Sequence, residues 1–208
     1  MRALDITLSL LALVVLAPLM LVVAIAVKCG SPGPVLYRAQ RSGRYGQVFT
    51  LYKFRSMRVD LPGRGPRITG SGDPRITRVG RVLRNTKLDE LPQFFNALKG
   101  DMSLVGPRPE DPKVVKTYSA EQRRVLTVKP GITSPATVLN RHEEELLTGP
   151  DPEETYRRDV LPVKLKIELE YLERRTVVED LRVLGHTIGA LFARRPRLDP
   201  DRGSQWRI

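Results

Sequence analysis

The chain has 208 residues, 41% of them hydrophobic, which is enough for one domain with a modest core. Its single cysteine, Cys29, excludes an intrachain disulfide and fits a reducing compartment. The formal net charge of +12 favours phosphate-bearing partners, either lipids or nucleic acid, although an aromatic content of 6% is low for a base-stacking surface.

The first predicted element is an apolar segment at residues 6–27, interrupted only by Thr7, Ser9 and Pro18. As a helix it would be about 33 Å long, which is enough to cross a hydrocarbon core of about 30 Å. Pro18 lacks an N–H group and its ring opposes a carbonyl, so the helix should kink or break there. A kinked spanning helix and a re-entrant helix that returns to the cytoplasmic face fit these residues equally well.

A basic block follows the apolar segment. Residues 28–87 contain 14 lysines and arginines against two aspartates, so this block alone accounts for the net charge of the chain. Positive residues beside a membrane segment favour the cytoplasmic side and anionic lipid headgroups. Nucleic acid would suit the same charge, but the membrane segment favours lipid and phosphate ligands.

Two strands are predicted next, at residues 35–41 and 47–55, as a hairpin around the loop SGRYG. Because side chains alternate along a strand, Lys53 and Arg55 should share one face of the second strand. Residues 60–72 are rich in glycine and proline and are predicted as a loop.

A helix is predicted to start at Asp73, with this residue as the N-cap and Pro74 at the first helical position. Arginines at three-residue steps would then form a basic stripe along it, at positions 75, 78, 81 and 84. Such a stripe is typical of a solvated face, but beside a membrane it could also hold phosphates.

Two adjacent carboxylates, Asp89 and Glu90, lie within the stretch TKLDELPQFF. Pro92 is tolerated in the first turn of a helix, so a helix should begin near residue 88. The helix dipole and the nearby cations Arg84 and Lys87 favour the ionised form of both carboxylates. Acidic residues are common at helix starts, so the pattern fits an ion-pair patch as well as a catalytic pair.

Arg108 lies between two prolines at the end of SLVGPRPE, a short predicted strand followed by a stiff turn. Prolines on both sides restrain the backbone of this arginine before any ligand arrives. A purely structural turn would look the same, but a restrained guanidinium suits phosphate binding. Further along, VKPGIT is predicted as a turn, residues 141–147 and 151–175 as charged helices, and residues 178–191 as an amphipathic helix that could pack on the core or lie in the membrane interface.

Three blocks, KFRSM (53–57), the 23-residue block at 88–110 and KPGIT (129–133), follow a proline-containing apolar segment in that order. This combination resembles the monotopic phosphoglycosyl transferases of the bacterial sugar transferase family, in a small form without additional amino-terminal membrane helices. The resemblance extends over residues 1–192 and is strongest over residues 35–133. Two departures are Ala17, where many members have serine, and the sequence SPAT at 134–137 after KPGIT.

The resemblance implies a reaction on the cytoplasmic face of the bacterial inner membrane. A nucleoside diphosphate sugar, usually a UDP-sugar, would donate its phosphosugar to a polyprenyl phosphate such as undecaprenyl phosphate, with release of UMP. Mg2+ is the implied cofactor. The resemblance also favours the re-entrant arrangement of the amino-terminal segment, with the break at Pro18.

The resemblance also implies roles for individual residues. Asp89 would be the nucleophile that forms a phosphosugar intermediate and a ligand of Mg2+, and Glu90 would act as a base on the incoming polyprenyl phosphate. Basic positions in the family blocks are the predicted phosphate-binding residues, here Lys53, Arg55, Arg84 and Arg108.

The predicted fold class is therefore α+β, in a monotopic membrane protein with a small hairpin sheet and amphipathic interfacial helices. Residues 1–28 would form the re-entrant membrane helix, residues 29–192 a catalytic domain on the membrane surface, and residues 193–208 a basic tail. Anionic headgroups are expected partners and nucleic acid is not. The alternatives, a membrane-tethered nucleic-acid-binding protein or a non-catalytic basic scaffold, would use the charge but would not require the block at 88–110.

Overall fold

The computed structural model describes residues 2–59, 73–140, 147 and 151–192. In chain order, these residues form helix α1 (Arg2–Gly30), strands β1 (Leu36–Ser42) and β2 (Val48–Phe54), helices α2 (Arg78–Thr86) and α3 (Gln93–Lys99), strand β3 (Ser103–Val105), helix α4 (Pro112–Val115), strand β4 (Gly131–Thr133), and helices α5 (Pro135–Leu139), α6 (Pro152–Thr155), α7 (Leu161–Arg174) and α8 (Val177–Phe192). The predicted combination of helices with small sheets is confirmed. The predicted loop at 60–72, the tail at 193–208 and nearly all of the helix at 141–147 lie outside the described residues.

Helix α1 is apolar and long enough to cross a membrane, with a mean hydropathy of 3.1 in its most apolar window. It is helical through Pro18, so the structure has one helix where the sequence predicted a break. A proline costs one intrahelical hydrogen bond, and a helix of 29 residues retains the bonds on both sides of that position. Its length of about 43 Å exceeds the thickness of a hydrocarbon core.

Both ends of α1 contact the rest of the chain. At its start, Arg2 donates hydrogen bonds of 2.5 and 2.7 Å to the carbonyls of Ala97 and Leu98 at the end of α3. Asp5 is buried and accepts hydrogen bonds from the Ser103 hydroxyl and the Leu104 N–H. Near the other end, a buried cluster joins the helix to β2 and α2 through Val23, Val27, Phe54 and Leu83.

The predicted hairpin is confirmed: β1 and β2 pair in antiparallel register, with Tyr37 opposite Lys53. Its inner face packs on α3, because Ala39 and Leu51 belong to a buried cluster with residues around the end of that helix. Fully buried Asn96 ties the two elements together. Its Oδ1 atom accepts from the N–H of Tyr52 at 3.0 Å, and its Nδ2 atom donates to the carbonyl of Thr50 at 2.7 Å.

Helix α2 begins at Arg78, four residues later than the predicted first helical position, Pro74. Thr77 is the N-cap and accepts from the N–H of Gly80 at 2.8 Å. Asp73 is not the cap because its carboxylate is bound by the backbone and guanidinium of Arg75. Arg75 therefore precedes the helix, and its carbonyl accepts from the N–H of Arg58 instead.

The predicted turn VKPGIT contains strand β4, which pairs in parallel with β3. The two strands pack closely where two glycines meet, since a Cβ on Gly131 would lie 2.1 Å from the nitrogen of Gly106. Backbone hydrogen bonds of 3.0 Å run from Gly106 to Thr133 and from Gly131 to Pro107. Periodicity missed this strand because it is only three residues long.

The carboxyl-terminal helices cover β3 and β4 from one side. Helix α7 follows a π-helical turn at Tyr156–Val160 and supplies much of the largest buried cluster. Helix α8 begins at Val177, as its apolar spacing predicted, and buries Val183 beside β3. Its outer face leaves large apolar side chains exposed, among them Val178, Leu181 and Ile188.

Candidate active site

Asp89 and Glu90 lie in a single 3-10 turn, Leu88–Glu90, just before α3. Lys87 precedes the turn in the left-handed region, with φ of 59°, and reverses the chain after α2. The position near a helix start was predicted, but α3 itself begins at Gln93. Both carboxylates therefore lie outside α3 and its dipole. Their pKa values depend instead on burial and on the neighbouring side chains.

Glu90 is bound by two cations from different parts of the chain. Its Oε1 atom accepts hydrogen bonds from Lys53 Nζ at 2.8 Å and from an Arg108 nitrogen at 2.7 Å. The second Arg108 nitrogen reaches the other carboxylate oxygen at 3.3 Å, so the guanidinium is bidentate. Burial opposes ionisation, but the charges and hydrogen bonds of Arg108 and Lys53 lower the pKa of Glu90 well below its usual value.

Asp89 has a different environment although it is the adjacent residue. It is 7% exposed, and its Oδ1 atom is buried without a hydrogen-bond partner among the described residues. Burial raises the pKa of the Asp89 carboxyl, Glu90 adds to the rise, and the charges of Lys53, Lys87 and Arg84 oppose it. The expectation that the surroundings of Asp89 lower its pKa is therefore wrong for the protein alone, because desolvation outweighs the nearby cations.

The turn that carries Arg108 is restrained by its two prolines and by a backbone hydrogen bond from Gly131. Pro107 and Pro109 restrict the backbone around it, and the Pro107 carbonyl accepts from the N–H of Gly131. The blocks GPRP and KPGIT are thus parts of one structural unit, joined through their glycines. About three quarters of the Arg108 side chain is buried, at 26% exposure.

The remaining predicted phosphate-binding residues divide into three cases. Lys53 lies in the site through its ion pair with Glu90. Arg84, in the last turn of α2, is close enough for its charge to lower the pKa of Asp89. Arg55 is 4% exposed and donates to carbonyls at the end of α1 and in the following turn, those of Val27, Ser31 and Pro32.

The contacts of Arg55 correspond to a helix cap, not to an open phosphate site. The carbonyls at the end of a helix lack intrahelical partners, and a buried guanidinium satisfies them. Arg55 directly follows the last residue of β2, so it is not part of the strand that carries Lys53. We therefore leave Arg55 out of the proposed substrate site.

Mg2+ is compatible with the donor set at Asp89. Among the described residues, no group of three or more histidine, cysteine, aspartate or glutamate side chains forms a ready metal cage. Mg2+ commonly uses one or two carboxylates together with substrate phosphates. The buried Asp89 Oδ1 atom, which has no hydrogen bond in the described part of the chain, fits one such ligand.

Sequence reasoning missed two buried polar residues that organise this site. Asn96 aligns β2 with α3, and it could have been noticed as an amide on the apolar face of a short helix. Glu168 is 3% exposed on α7, close to the Arg108 turn. Its position among charged neighbours in KLKIELEYLE gave no signal that it would be buried.

Comparison with known proteins gives a consistent result. Residues 1–194 match the bacterial sugar transferase family. An undecaprenyl-phosphate glucose phosphotransferase of Komagataeibacter xylinus is 40% identical over 198 residues, covering 90% of this chain and 35% of the relative. A UDP-N-acetylgalactosamine-undecaprenyl-phosphate N-acetylgalactosaminephosphotransferase of Aeromonas hydrophila is 36% identical, covering 92% of this chain and 43% of the relative.

Relatives differ in how much of their length this chain spans. It covers less than half of the two transferases from Komagataeibacter and Aeromonas. An exopolysaccharide production protein PSS of Rhizobium leguminosarum is 39% identical over 194 residues, and 92% of that protein is covered.

Proposed function

Because the chain belongs to the bacterial sugar transferase family, we propose that it transfers a phosphosugar from a nucleoside diphosphate sugar to a polyprenyl phosphate. The names of the relatives favour a UDP-sugar as donor and undecaprenyl phosphate as acceptor. The observation that carries the proposal is the contrast within the dyad: Asp89 is buried without a hydrogen bond at Oδ1, beside the ion-paired cluster of Lys53, Glu90 and Arg108.

In the proposed first step, a carboxylate oxygen of Asp89 attacks the phosphorus that carries the sugar. A bond forms between that oxygen and phosphorus, the bond from phosphorus to the bridging oxygen breaks, and the nucleoside monophosphate leaves with the bridging oxygen. Attack breaks no internal hydrogen bond at Asp89 Oδ1 within the described structure. In the second step, a phosphate oxygen of the polyprenyl phosphate attacks the same phosphorus and releases the Asp89 carboxylate.

Mg2+ would neutralise charge on the diphosphate, and Asp89 would supply its protein ligand. Phosphoryl transfer depends mainly on positioning and on electrostatic stabilisation, so the cations of the site carry the rest of the task. Arg108 offers a planar fork that matches phosphate oxygens, while Lys53 and Arg84 add positive charge near Asp89.

Glu90 is better suited to hold these cations than to take up a proton. Its pKa lies well below the usual value, which makes it a weak base. A polyprenyl phosphate is already largely ionised near neutral pH and needs little help from a base. We therefore assign Glu90 to the orientation of Lys53 and Arg108, which it contacts through both oxygens.

We further propose that α1 enters the bilayer from one side and that the domain lies on the cytoplasmic face of a bacterial inner membrane. A fully spanning helix would place its two ends on opposite sides, yet Arg2 and Val27 both contact the same domain. The outward face of α1 is apolar and exposed, with Leu11 57%, Val15 64% and Val22 63% exposed. Pro18 would lie near the deepest point of this one-sided insertion.

The test is to incubate the full chain, in nanodiscs, with Mg2+, undecaprenyl phosphate and a panel of UDP-sugars. The expected result is a lipid-linked diphosphosugar together with repeated release of UMP that requires both donor and acceptor; donor alone should release no more than about one UMP per enzyme. Asp89→Asn in the same nanodiscs provides the control. Absence of product with every nucleoside diphosphate sugar would reject the proposed activity.

A further inference from the structure

Three polar side chains form a hydrogen-bonded triad directly after the Arg108 turn, and none of the steps above uses them. The phenol of Tyr156 donates a hydrogen bond to the Oε2 atom of Glu110, two residues after Arg108. The Nζ atom of Lys164 donates to the Tyr156 oxygen at 3.1 Å. Tyr156 is 3% exposed and Lys164 6%, so both donors of this Lys164–Tyr156–Glu110 triad are buried.

Tyr156 and Lys164 meet because of the π-helical turn at Tyr156–Val160. Two turns of an α-helix take about seven residues, and a π-helical turn takes about one residue more because its hydrogen bonds run from i to i+5. Residues eight apart therefore come to the same face, and Lys164 Nζ also lies 5.0 Å from the centroid of the Tyr156 ring. An ammonium group can only donate, so the single proton of the Tyr156 hydroxyl goes to Glu110.

Glu110 is fixed through its backbone as well as its side chain. Its carbonyl accepts from the N–H of Ser42, at the end of β1, at 2.9 Å. Its Oε1 atom accepts from the N–H of Asp111 at 2.9 Å, and the Tyr156 phenol takes Oε2. With both carboxylate oxygens bonded, Glu110 joins the hairpin to the π-helical turn before α7.

The segment that carries Arg108 is therefore anchored at both ends. Before Arg108, Gly106 and Pro107 form backbone hydrogen bonds to β4. After Arg108, Pro109 leads directly to Glu110, and the two prolines fix their own φ angles. Loss of the anchor at Glu110 would let the turn shift, and a displacement of about 1 Å can cost about a hundredfold in rate.

From these contacts we propose that Tyr156 is a positioning residue for the transfer reaction. Its hydroxyl fixes Glu110, and thereby the turn from which Arg108 reaches Glu90. The inference rests on the proposed function of Arg108. Because Tyr156 acts through other residues, the tests separate positioning from a general contribution of this side chain to packing.

The first test concerns the contact itself and does not depend on activity. The full chain in nanodiscs is labelled with 3-fluorotyrosine at its six tyrosines, and Tyr156→Phe identifies the Tyr156 fluorine resonance by its absence. Glu110→Gln should shift this resonance, because the phenol then meets a neutral amide instead of a carboxylate. Glu173→Gln, at an exposed carboxylate on α7, is the control and should leave the resonance in place. An unmoved resonance in Glu110→Gln would overturn the proposal.

The second test is a double-mutant cycle on turnover with Arg108, at saturating donor and acceptor. Tyr156→Phe keeps the ring but removes the hydroxyl, and it should lower kcat per folded molecule at least about fivefold. The same change should cost less than about twofold when Arg108→Lys is already present. Tyr118→Phe, which removes a hydroxyl from the same buried cluster but outside the triad, should stay within about twofold of the parent.

Two outcomes of the cycle would reject the positioning role. Equal losses in Tyr156→Phe and Tyr118→Phe would reduce the effect to packing of the cluster. Additive losses in Tyr156→Phe and Arg108→Lys would show that the hydroxyl acts independently of Arg108. A parent chain that transfers no phosphosugar would refute the proposed function itself, while the fluorine resonance would still show whether Tyr156 and Glu110 are in contact.

Discussion

Glu90 and Glu168 are both largely shielded from solvent, with 12% of the Glu90 side chain and 3% of Glu168 exposed, but they have different hydrogen-bond partners. On one side, Glu90 binds the side-chain charges of Lys53 and Arg108, and its pKa is well below the usual value. On the other side, Glu168 accepts a hydrogen bond from the Ser134 hydroxyl, and burial raises its pKa to about 7. Direct contact with two cationic side chains therefore lowers the pKa of Glu90, whereas burial dominates the pKa of Glu168.

The two carboxylates of the dyad, Asp89 and Glu90, also differ in their hydrogen-bond partners. Asp89 is adjacent to Glu90 in sequence, yet it lacks the direct hydrogen bonds that Glu90 accepts from Lys53 and Arg108. Glu90 is saturated by protein partners, whereas Asp89 retains an oxygen for a ligand. We therefore assign the attack on phosphorus to Asp89 and the orientation of Lys53 and Arg108 to Glu90. The following experiments test these two roles.

The largest effect is expected from Asp89→Asn. The change removes the attacking oxygen charge with little change in shape, so turnover should fall at least about a thousandfold. Membrane binding and the unfolding temperature should stay near those of the parent. Asp159→Asn, a substitution at an exposed carboxylate, serves as the control and should keep full activity. Measurable turnover by Asp89→Asn close to that of this control would remove Asp89 from the mechanism.

Arg108→Lys should have the next largest effect. The variant keeps the positive charge and can still pair with Glu90, but it loses the planar fork that matches two oxygens at once. Turnover should fall by more than about tenfold. Arg123→Lys, at an exposed arginine, is the matched control in a steady-state assay. If both variants work like the parent, Arg108 is peripheral to the transfer.

Arg55→Met should change stability more than activity. The substitution leaves the carbonyls of Val27, Ser31 and Pro32 without their buried donor, at a cost of about 1–3 kcal/mol. Turnover per folded molecule should remain within about threefold of the parent. Thermal unfolding and turnover are measured together, with exposed Arg78→Met as the control. A selective loss of donor binding without loss of stability would return Arg55 to the phosphate site.

The smallest effect concerns the pH dependence of stability. Because the pKa of Glu168 rises from 4.5 to about 7 on folding, the folded protein holds a proton that the unfolded chain releases between these values. Stability should therefore fall as pH rises through this range, by up to about 3 kcal/mol, and level off above it. Glu168→Gln should lack this fall in denaturant unfolding series. Parallel curves for the two proteins would show that Glu168 does not titrate in this window.

Much of this arrangement could be predicted from sequence because it depends on local patterns. Period-two alternation gave the hairpin, and proline and glycine placement gave the start and end of the segment around α3. The blocks at 53–57, 88–110 and 129–133 identified the family, and Lys53, Asp89, Glu90 and Arg108 do come together. Local patterns were therefore a good guide to the hairpin and the segment around α3, and the family resemblance was the guide to which site residues meet.

The parts that sequence could not give depend on long-range packing. Arg55 was assigned to phosphate because it matches a basic position of the family blocks, but the end of α1 lies within its reach. The pKa of Asp89 depends on how deeply its turn is buried, which no local pattern reports. Thr77 replaced Asp73 as the cap because Arg75 binds that carboxylate first.

The proposal that Asp89 forms a covalent phosphosugar intermediate is tested most directly by intact mass. The protein is weighed after incubation with donor and Mg2+ but without polyprenyl phosphate. We predict a phosphosugar adduct that maps to Asp89 and is absent from Asp89→Asn. Glu90→Gln should still form it, though more slowly, because the variant loses the anion that orients Lys53 and Arg108. If rapid quenching traps no adduct and the kinetics require a ternary complex, direct transfer between the two substrates replaces the covalent mechanism.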